Sequence, residues 1–255
     1  MGISLSTIVL SVSGLALLGL LAFFLYWRFY YFLRNPPRTV PEGEDKIMAA
    51  ADGFVTYVKP VQQGEVPIAV KSRRVIPLVE LVGLEHEVKQ SGYLIGTYMT
   101  EYSVHRNRVP ISGKIVLCQH RAADRLNRSM ARMTANLLFR RQPYDEDCEY
   151  LVRNERLTIG IRHASGRLVT VTQIADVWIN RIVAWVKVGD VVQRGQQYGM
   201  IRFGSQCDVF LPDEMVETIL IKPGQYVFAG KTIVALMRKT KAFGESAPFE
   251  EVQND

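Results

Sequence analysis

Residues 7–27 are almost wholly apolar, and no charged side chain occurs anywhere in residues 1–27. A run of 21 residues matches the roughly 20 needed to cross a bilayer core. The pattern predicts a transmembrane helix. Arg28 ends it, and Phe29, Tyr30, Tyr31 and Phe32 follow as an interfacial aromatic belt. A signal peptide fits poorly: the start is not basic, and bulky aromatics sit where small cleavage-site residues belong. Arg28, Arg34, Arg38 and Lys46 all follow the run, so the positive-inside rule predicts a single-pass cell-membrane protein with its soluble part on the cytoplasmic side.

Beyond residue 34 the pattern changes. Pro36, Pro37, Pro41 and Gly43 break any helix, so residues 35–45 are expected to be a linker between the 1–34 anchor and a soluble domain. In residues 46–239, short β-branched apolar runs alternate with turn residues: 53–58, 75–82, 93–99, 114–117, 157–161, 168–174 and 182–188. Residues 186–196 return as 221–231, at an offset of 35. Each copy reads strand, Gly turn, short apolar stretch, Gly turn, strand. This resembles the half-motif of lipoyl/biotinyl-like β-sandwiches, in which two such hairpins pack face to face. The expected fold is mainly β (α+β), a lipoyl-like sandwich core. Within residues 117–153, Leu126, Met130, Met133, Leu137 and Leu138 recur at helical spacing among Arg121, Arg125, Arg128, Arg132, Arg140 and Arg141. That predicts an inserted amphipathic helix stopped by Pro143 and followed by the acidic run 145–147. Such a helix suits either a membrane interface or one face of the β domain. The polar tail 240–255 is expected to be loose.

Composition narrows the partners. The 255 residues hold 31 Lys and Arg against 25 Asp and Glu, a net charge of +6. A basic balance suits nucleic acid or an anionic membrane equally. The apolar N-terminus decides for the membrane, and no nucleic-acid partner is expected. Cys118, Cys148 and Cys207, with His86, His105, His120 and His163, show no metal-ligand spacing, so no metal is expected.

The most informative pair is Gly204-Ser205, between the apolar stretches 199–203 and 209–211. A glycine between two strands marks a bulge or a strained spot. A serine directly after it can turn its hydroxyl onto the preceding carbonyl. The neighbouring blocks are Asn35-Pro36-Pro37-Arg38, Ala51-Asp52-Gly53, Val104-His105-Arg106-Asn107-Arg108, Asn154-Glu155-Arg156, Gln173-Ile174-Ala175 and 189–212. In order and spacing they resemble the phosphatidylserine decarboxylase family, in its short class.

The resemblance implies self-cleavage between Gly204 and Ser205, leaving a covalent pyruvoyl group derived from Ser205. It implies decarboxylation of phosphatidylserine to phosphatidylethanolamine at a phospholipid membrane. Ser205, His105 and Asp52 are then the catalytic candidates. Arg106 and Arg108 are candidates for the substrate phosphate as charge-assisted donors. A ketone conjugated with an amide can accept the electrons of decarboxylation, which no ordinary side chain can. A basic, mostly β domain with a lipid pocket also suits a homodimer.

The chain departs from the family pattern in places. Arg108 stands where longer members carry a second histidine, Ser103 where aspartate is common, and an Arg-rich stretch replaces a family segment before Asn154. Two alternatives therefore stay open: a membrane-tethered lipoyl-like adaptor without catalysis, and a relative that keeps the fold and does not cleave.

Overall fold

A computed structural model describes residues 4–69, 75–82, 90–123, 125–144, 148–177, 182–201 and 204–238. The expected tail 240–255, the acidic run 145–147, His86, and Arg202 with Phe203 lie outside the described residues.

Helix α1 (Leu5–Leu25) starts at Ser4, whose Oγ accepts the Thr7 N–H at 3.2 Å. It runs into a π-helical turn, Tyr26–Tyr31. Together they make 27 residues, roughly 40 Å long, whose most apolar 18-residue stretch has a mean hydropathy of 2.6. No residue of α1 is buried against the rest of the chain. A helix apolar on every side, packing on nothing of its own, is long and apolar enough to cross a membrane.

The remainder is mostly β. In chain order the first half comprises β1 (Lys46–Met48), β2 (Gly53–Val61), β3 (Glu65–Ala69), β4 (Val75–Pro77), α2 (Leu78–Val82), β5 (Gly92–Met99), β6 (Arg106–Arg108) and β7 (Gly113–Arg121). The second half comprises α3 (Ala131–Leu138), α4 (Tyr150–Arg153), β8 (Arg156–Arg162), β9 (Leu168–Ala175), β10 (Ile182–Ala184), β11 (Val191–Val192), β12 (Gln197–Ile201), β13 (Ser205–Pro212), β14 (Val216–Ile219), β15 (Tyr226–Val227) and β16 (Ile233–Met237).

One sheet has eight strands in the order β11-β7-β8-β9-β13-β5-β2-β15. Two three-stranded sheets, β6-β12-β10 and β1-β16-β14, accompany it. The arrangement is duplicated about the β9–β13 seam, where Val171 pairs with Val209. β7 corresponds to β2, β8 to β5, and one small sheet to the other. The sequence repeat lies at the two ends of this array. Gly189 N–H donates to the Ile115 carbonyl at 2.8 Å, and Gly224 N–H donates to the Val55 carbonyl at 2.7 Å. All four repeat glycines, 189, 195, 224 and 230, have positive φ, the region glycine adopts without steric cost. The sheet curls until the copies meet at their second turns: a Cβ on Gly230 would stand 3.4 Å from Gly195 Cα.

Alternation along β13 serves two cores. Cys207, Val209 and Leu211 face a layer holding Val55, Val109, Ile159 and Val234. Phe210 faces a second cluster with Tyr57, Tyr98, Met130, Met133, Tyr150 and Leu151.

Three expected elements change. Residues 75–82 divide into β4 and α2, because Leu78 and Leu81 are both buried at a helical i, i+3 spacing. The 182–188 strand ends at Ala184, ahead of the Gly189 turn. The helix expected within 117–153 shrinks to α3. Residues 117–121 pair with β8 instead. Further on, side chains claim backbone amides a helix would use: Asn154 Oδ1 takes Arg128 N–H at 2.7 Å and Asp176 Oδ1 takes Met130 N–H at 2.9 Å. α3 covers one face of the large sheet through Met130 and Met133, while Leu138 and Phe139 stay exposed.

Candidate functional site

Ser205 opens β13 at the duplication seam, between Met99 of β5 and Ala175 of β9. It is wholly buried, and its Oγ has no hydrogen-bond partner among the described residues. An orphaned buried hydroxyl costs about 1–3 kcal/mol, and Thr56 and Thr170 share that condition among the described residues. The adjacent Gly204 carbonyl accepts the Asp176 N–H at 3.0 Å. A Cβ on Gly204 would stand 3.0 Å from Asp176 Oδ2, so a side chain there would press on that carboxylate.

His105 precedes β6 and is also wholly buried. Its Nε2 lies 3.0 Å from the Thr100 carbonyl, which assigns the proton to Nε2 and leaves Nδ1 as an acceptor. Nδ1 has no partner among the described residues. Burial lowers the imidazole to about 4, against the raising effect of the Thr100 carbonyl, with Arg34 lowering it further. The imidazole is therefore neutral at physiological pH. Two links bring His105 towards Ser205. Ile201 N–H, at the end of β12 and three residues before Gly204, donates to the His105 carbonyl at 3.2 Å. Asn107 Nδ2 reaches Met99 Sδ, beside Ser205, at 3.5 Å, and Asn107 Oδ1 accepts from Gln173 Nε2 at 2.6 Å.

Asp52 sits in the turn before Gly53, buried, with Arg38 at 2.6 Å and the Ala229 N–H at 2.8 Å. Burial raises its pKa, while the Ala229 amide and Arg38 pull it down. Its partners are thus Arg38 and Ala229, and it makes no direct bond to Ser205 or His105. It does share a cleft of about 410 Å³ with Val104, Tyr226, Arg34, Arg38 and Lys231. Tyr226 links that cleft to the His105 loop through Ser103, at 3.2 Å. Larger clefts around Gly92, Leu168 and Pro212 lie at the far end of β13, whose last residue, Pro212, is seven positions on from Ser205.

Arg106 and Arg108 alternate with His105 and Asn107 along β6 and face the other way. Arg106 donates to the Leu33 carbonyl at 3.2 Å and stands over Trp185. Arg108 donates to the Gly195 carbonyl at 2.8 Å and to Asn35 Oδ1 at 2.9 Å. Both fasten residues 33–35 to the domain.

Sequence reasoning passed over Asp176 and Asn127. Asp176 directly follows the Gln173-Ile174-Ala175 block, a signal that could have marked it. Asn127 carries no local signal. Cys207 is a buried core thiol, raised to about 12 by burial.

The sequence model of the phosphatidylserine decarboxylase family matches residues 25–235. The phosphatidylserine decarboxylase proenzyme of Syntrophotalea carbinolica is 32% identical over 228 residues, 89% of this chain and 86% of the relative. That of Cereibacter sphaeroides is 33% identical over 214 residues, 84% of this chain and 76% of the relative. A protein of Methanothermobacter thermautotrophicus, provisionally named an archaetidylserine decarboxylase proenzyme, is 33% identical over 233 residues, 91% of both chains.

Proposed function

From the premise that this chain belongs to the phosphatidylserine decarboxylase family of carboxy-lyases, we propose that it is a proenzyme that cuts itself between Gly204 and Ser205 and then decarboxylates phosphatidylserine to phosphatidylethanolamine at a membrane. One observation carries the reading: a buried, unpartnered Ser205 hydroxyl next to a Gly204 carbonyl already holding a hydrogen-bond donor.

In the proposed cut, Ser205 Oγ attacks the Gly204 carbonyl carbon and forms an ester, and the freed nitrogen takes up the hydroxyl proton. β-Elimination then releases Gly204 as a carboxylate and leaves an unsaturated residue at 205, which hydrolyses with loss of ammonia. The neutral, unpartnered Nδ1 of His105 suits proton transfer from the hydroxyl. The residues fit a pyruvoyl group at position 205: the wall is buried, and Gln206, which would carry its amide, is fixed by Tyr150, Tyr57 and Asp208. Such a group supplies the electron acceptor for decarboxylation.

Asp52 and Arg38 border the cleft through which a lipid headgroup would approach, beside the end of the anchor. Arg106 and Arg108, engaged with residues 33–35, act in this reading by holding the anchor's exit against the site. The anchor (1–34) spans the membrane once, and the basic residues after it favour the cytoplasmic side. The duplicated Gly-turn units fit a lipoyl-like ancestry for the 46–239 domain.

The test is a denaturing gel with mass spectrometry. The parent protein should give residues 1–204 and a fragment of 51 residues with a blocked N-terminus. Ser205→Ala should stay in one piece and be inactive. A parent chain that remains whole after long incubation leaves a membrane-tethered β scaffold.

A further inference from the structure

The end of β9 delivers a main-chain donor to the carbonyl that the cut would consume. Asp176 N–H donates to the Gly204 carbonyl at 3.0 Å. This is the last rung of the β9–β13 ladder, and it is one-sided, because the Asp176 carbonyl accepts instead from Asn127 Nδ2 at 2.9 Å.

The peptide carrying that donor is held from several directions. Asn127 Oδ1 accepts the Glu155 N–H at 2.7 Å, which locks the Asn127 amide in place. The Glu155 carbonyl accepts the Ala175 N–H at 3.0 Å, and Asn154 Nδ2 donates to the Ala175 carbonyl at 2.8 Å. The Asp176 carboxylate caps the Met130 and Val177 amides, at 2.9 and 2.8 Å. Asn127, Asn154 and Glu155 are all buried. So much hydrogen bonding at one strand end leaves little freedom to the 175–176 peptide.

We infer that the Asp176 N–H is the oxyanion donor of the self-cleavage step, and that Asn127 and the Asn154-Glu155 pair are positioning residues that aim it. The inference rests on the reading of Gly204-Ser205 as a cut site. When the Oγ–carbon bond forms, the carbonyl electron pair moves onto the Gly204 oxygen, where the donor already points. The carbon–nitrogen bond then breaks, and the hydroxyl proton ends on the Ser205 nitrogen. A donor fixed in advance stabilises the developing charge without reorganisation at the moment of attack. The Asn154-Glu155 block thereby acquires a role at a distance from the reacting atoms, through the strand end it grips.

The test follows self-cleavage on gels from freshly made protein, with hydroxylamine added to parallel samples to cut any ester that accumulates. Asp176→Pro deletes the donor and should slow the cut at least 100-fold, within the 10²–10³ typical of one oxyanion donor. Asp176→Ala keeps the N–H and should slow it about tenfold. Asn127→Ala should also slow it about tenfold, with no ester trapped, because the block precedes the acyl shift. Asp176→Pro cutting at the parental rate, or building up hydroxylamine-sensitive ester, overturns the inference. If Asp176→Pro fails to fold, Asn127→Ala decides, and a parental rate there overturns it equally. A parent chain that never cuts removes the self-cleavage reading and this inference together; a cutting parent beside an equally fast variant removes the inference alone.

Discussion

The Phe32 ring, just past the apolar N-terminal helix, stacks on the His105 imidazole, with centroids 4.2 Å apart and planes at 24°. Phe32 is almost completely buried, although it lies at the tail of an otherwise exposed apolar segment. The N-terminal apolar segment is therefore joined to the candidate base by direct contact. Arg34 adds to the joint by donating to the Tyr102 carbonyl at 2.5 Å.

Opening that contact should retune the histidine. Burial holds His105 at about 4, below its ordinary 6.5. Phe32→Ala admits water, so the pKa should rise towards 6.5 and the acid limb of the self-cleavage pH profile should move up with it. In the parent, the unfolded chain takes up a proton on this histidine before the folded chain does. Stability should therefore fall as pH drops from about 6.5 to about 4, and that slope should flatten in the variant. Imidazole NMR titration reads the first effect; an unmoved resonance would mean that the ring does not set the shift.

A second titration lies on the other face of β13. Asp208 is buried with Tyr57 Oη at 2.7 Å and Gln206 Nε2 at 2.8 Å, and burial raises its pKa to about 7 from 3.8. Below 3.8 the carboxyl is neutral in both folded and unfolded chains. Between 3.8 and about 7 the unfolded chain ionises first, so this group's contribution is lost as pH rises through that window. Asp208→Asn should remove that part of the pH dependence. Urea unfolding at several pH values measures it, and an identical slope in parent and variant would contradict the assignment.

Gly53 tests the packing beside Asp52. A Cβ there would lie 2.0 Å from the Tyr98 carbonyl oxygen, a contact with backbone that no rotamer change relieves. Gly53→Ala should cost about 3 kcal/mol or more, because β2 has to move away from β5. Gly14→Ala, in the anchor, meets nothing within 4 Å and serves as the comparison. Equal melting temperatures for the two variants would show that β2 and β5 are less closely joined than the geometry requires.

Much of this molecule is written locally. The charge-free N-terminal run, the Gly-turn repeat and the β-branched strands are all short-range patterns, and each is legible because its physical cause lies within a few residues. α3 was overdrawn for the same reason. Apolar spacing favours a helix within 117–153, ending before Pro143, but β8 claims residues 117–121, and Asn154 and Asp176 claim the amides of Arg128 and Met130. Those competitors are distant in the chain, so periodicity carries no trace of them.

By itself, the sequence determined the class of the fold and the apolar N-terminal helix, since hydropathy and backbone preference act over a turn or a strand, while its resemblance to a family supplied the candidate residues. Only the tertiary structure decided what each candidate touches. It placed Asp52 on Arg38, turned Arg106 and Arg108 towards Leu33 and Asn35, laid Phe32 on His105 and aimed the Asp176 amide at Gly204. Hydrogen bonds and desolvation depend on which distant segments meet, and that is settled when the eight-stranded sheet assembles and curls.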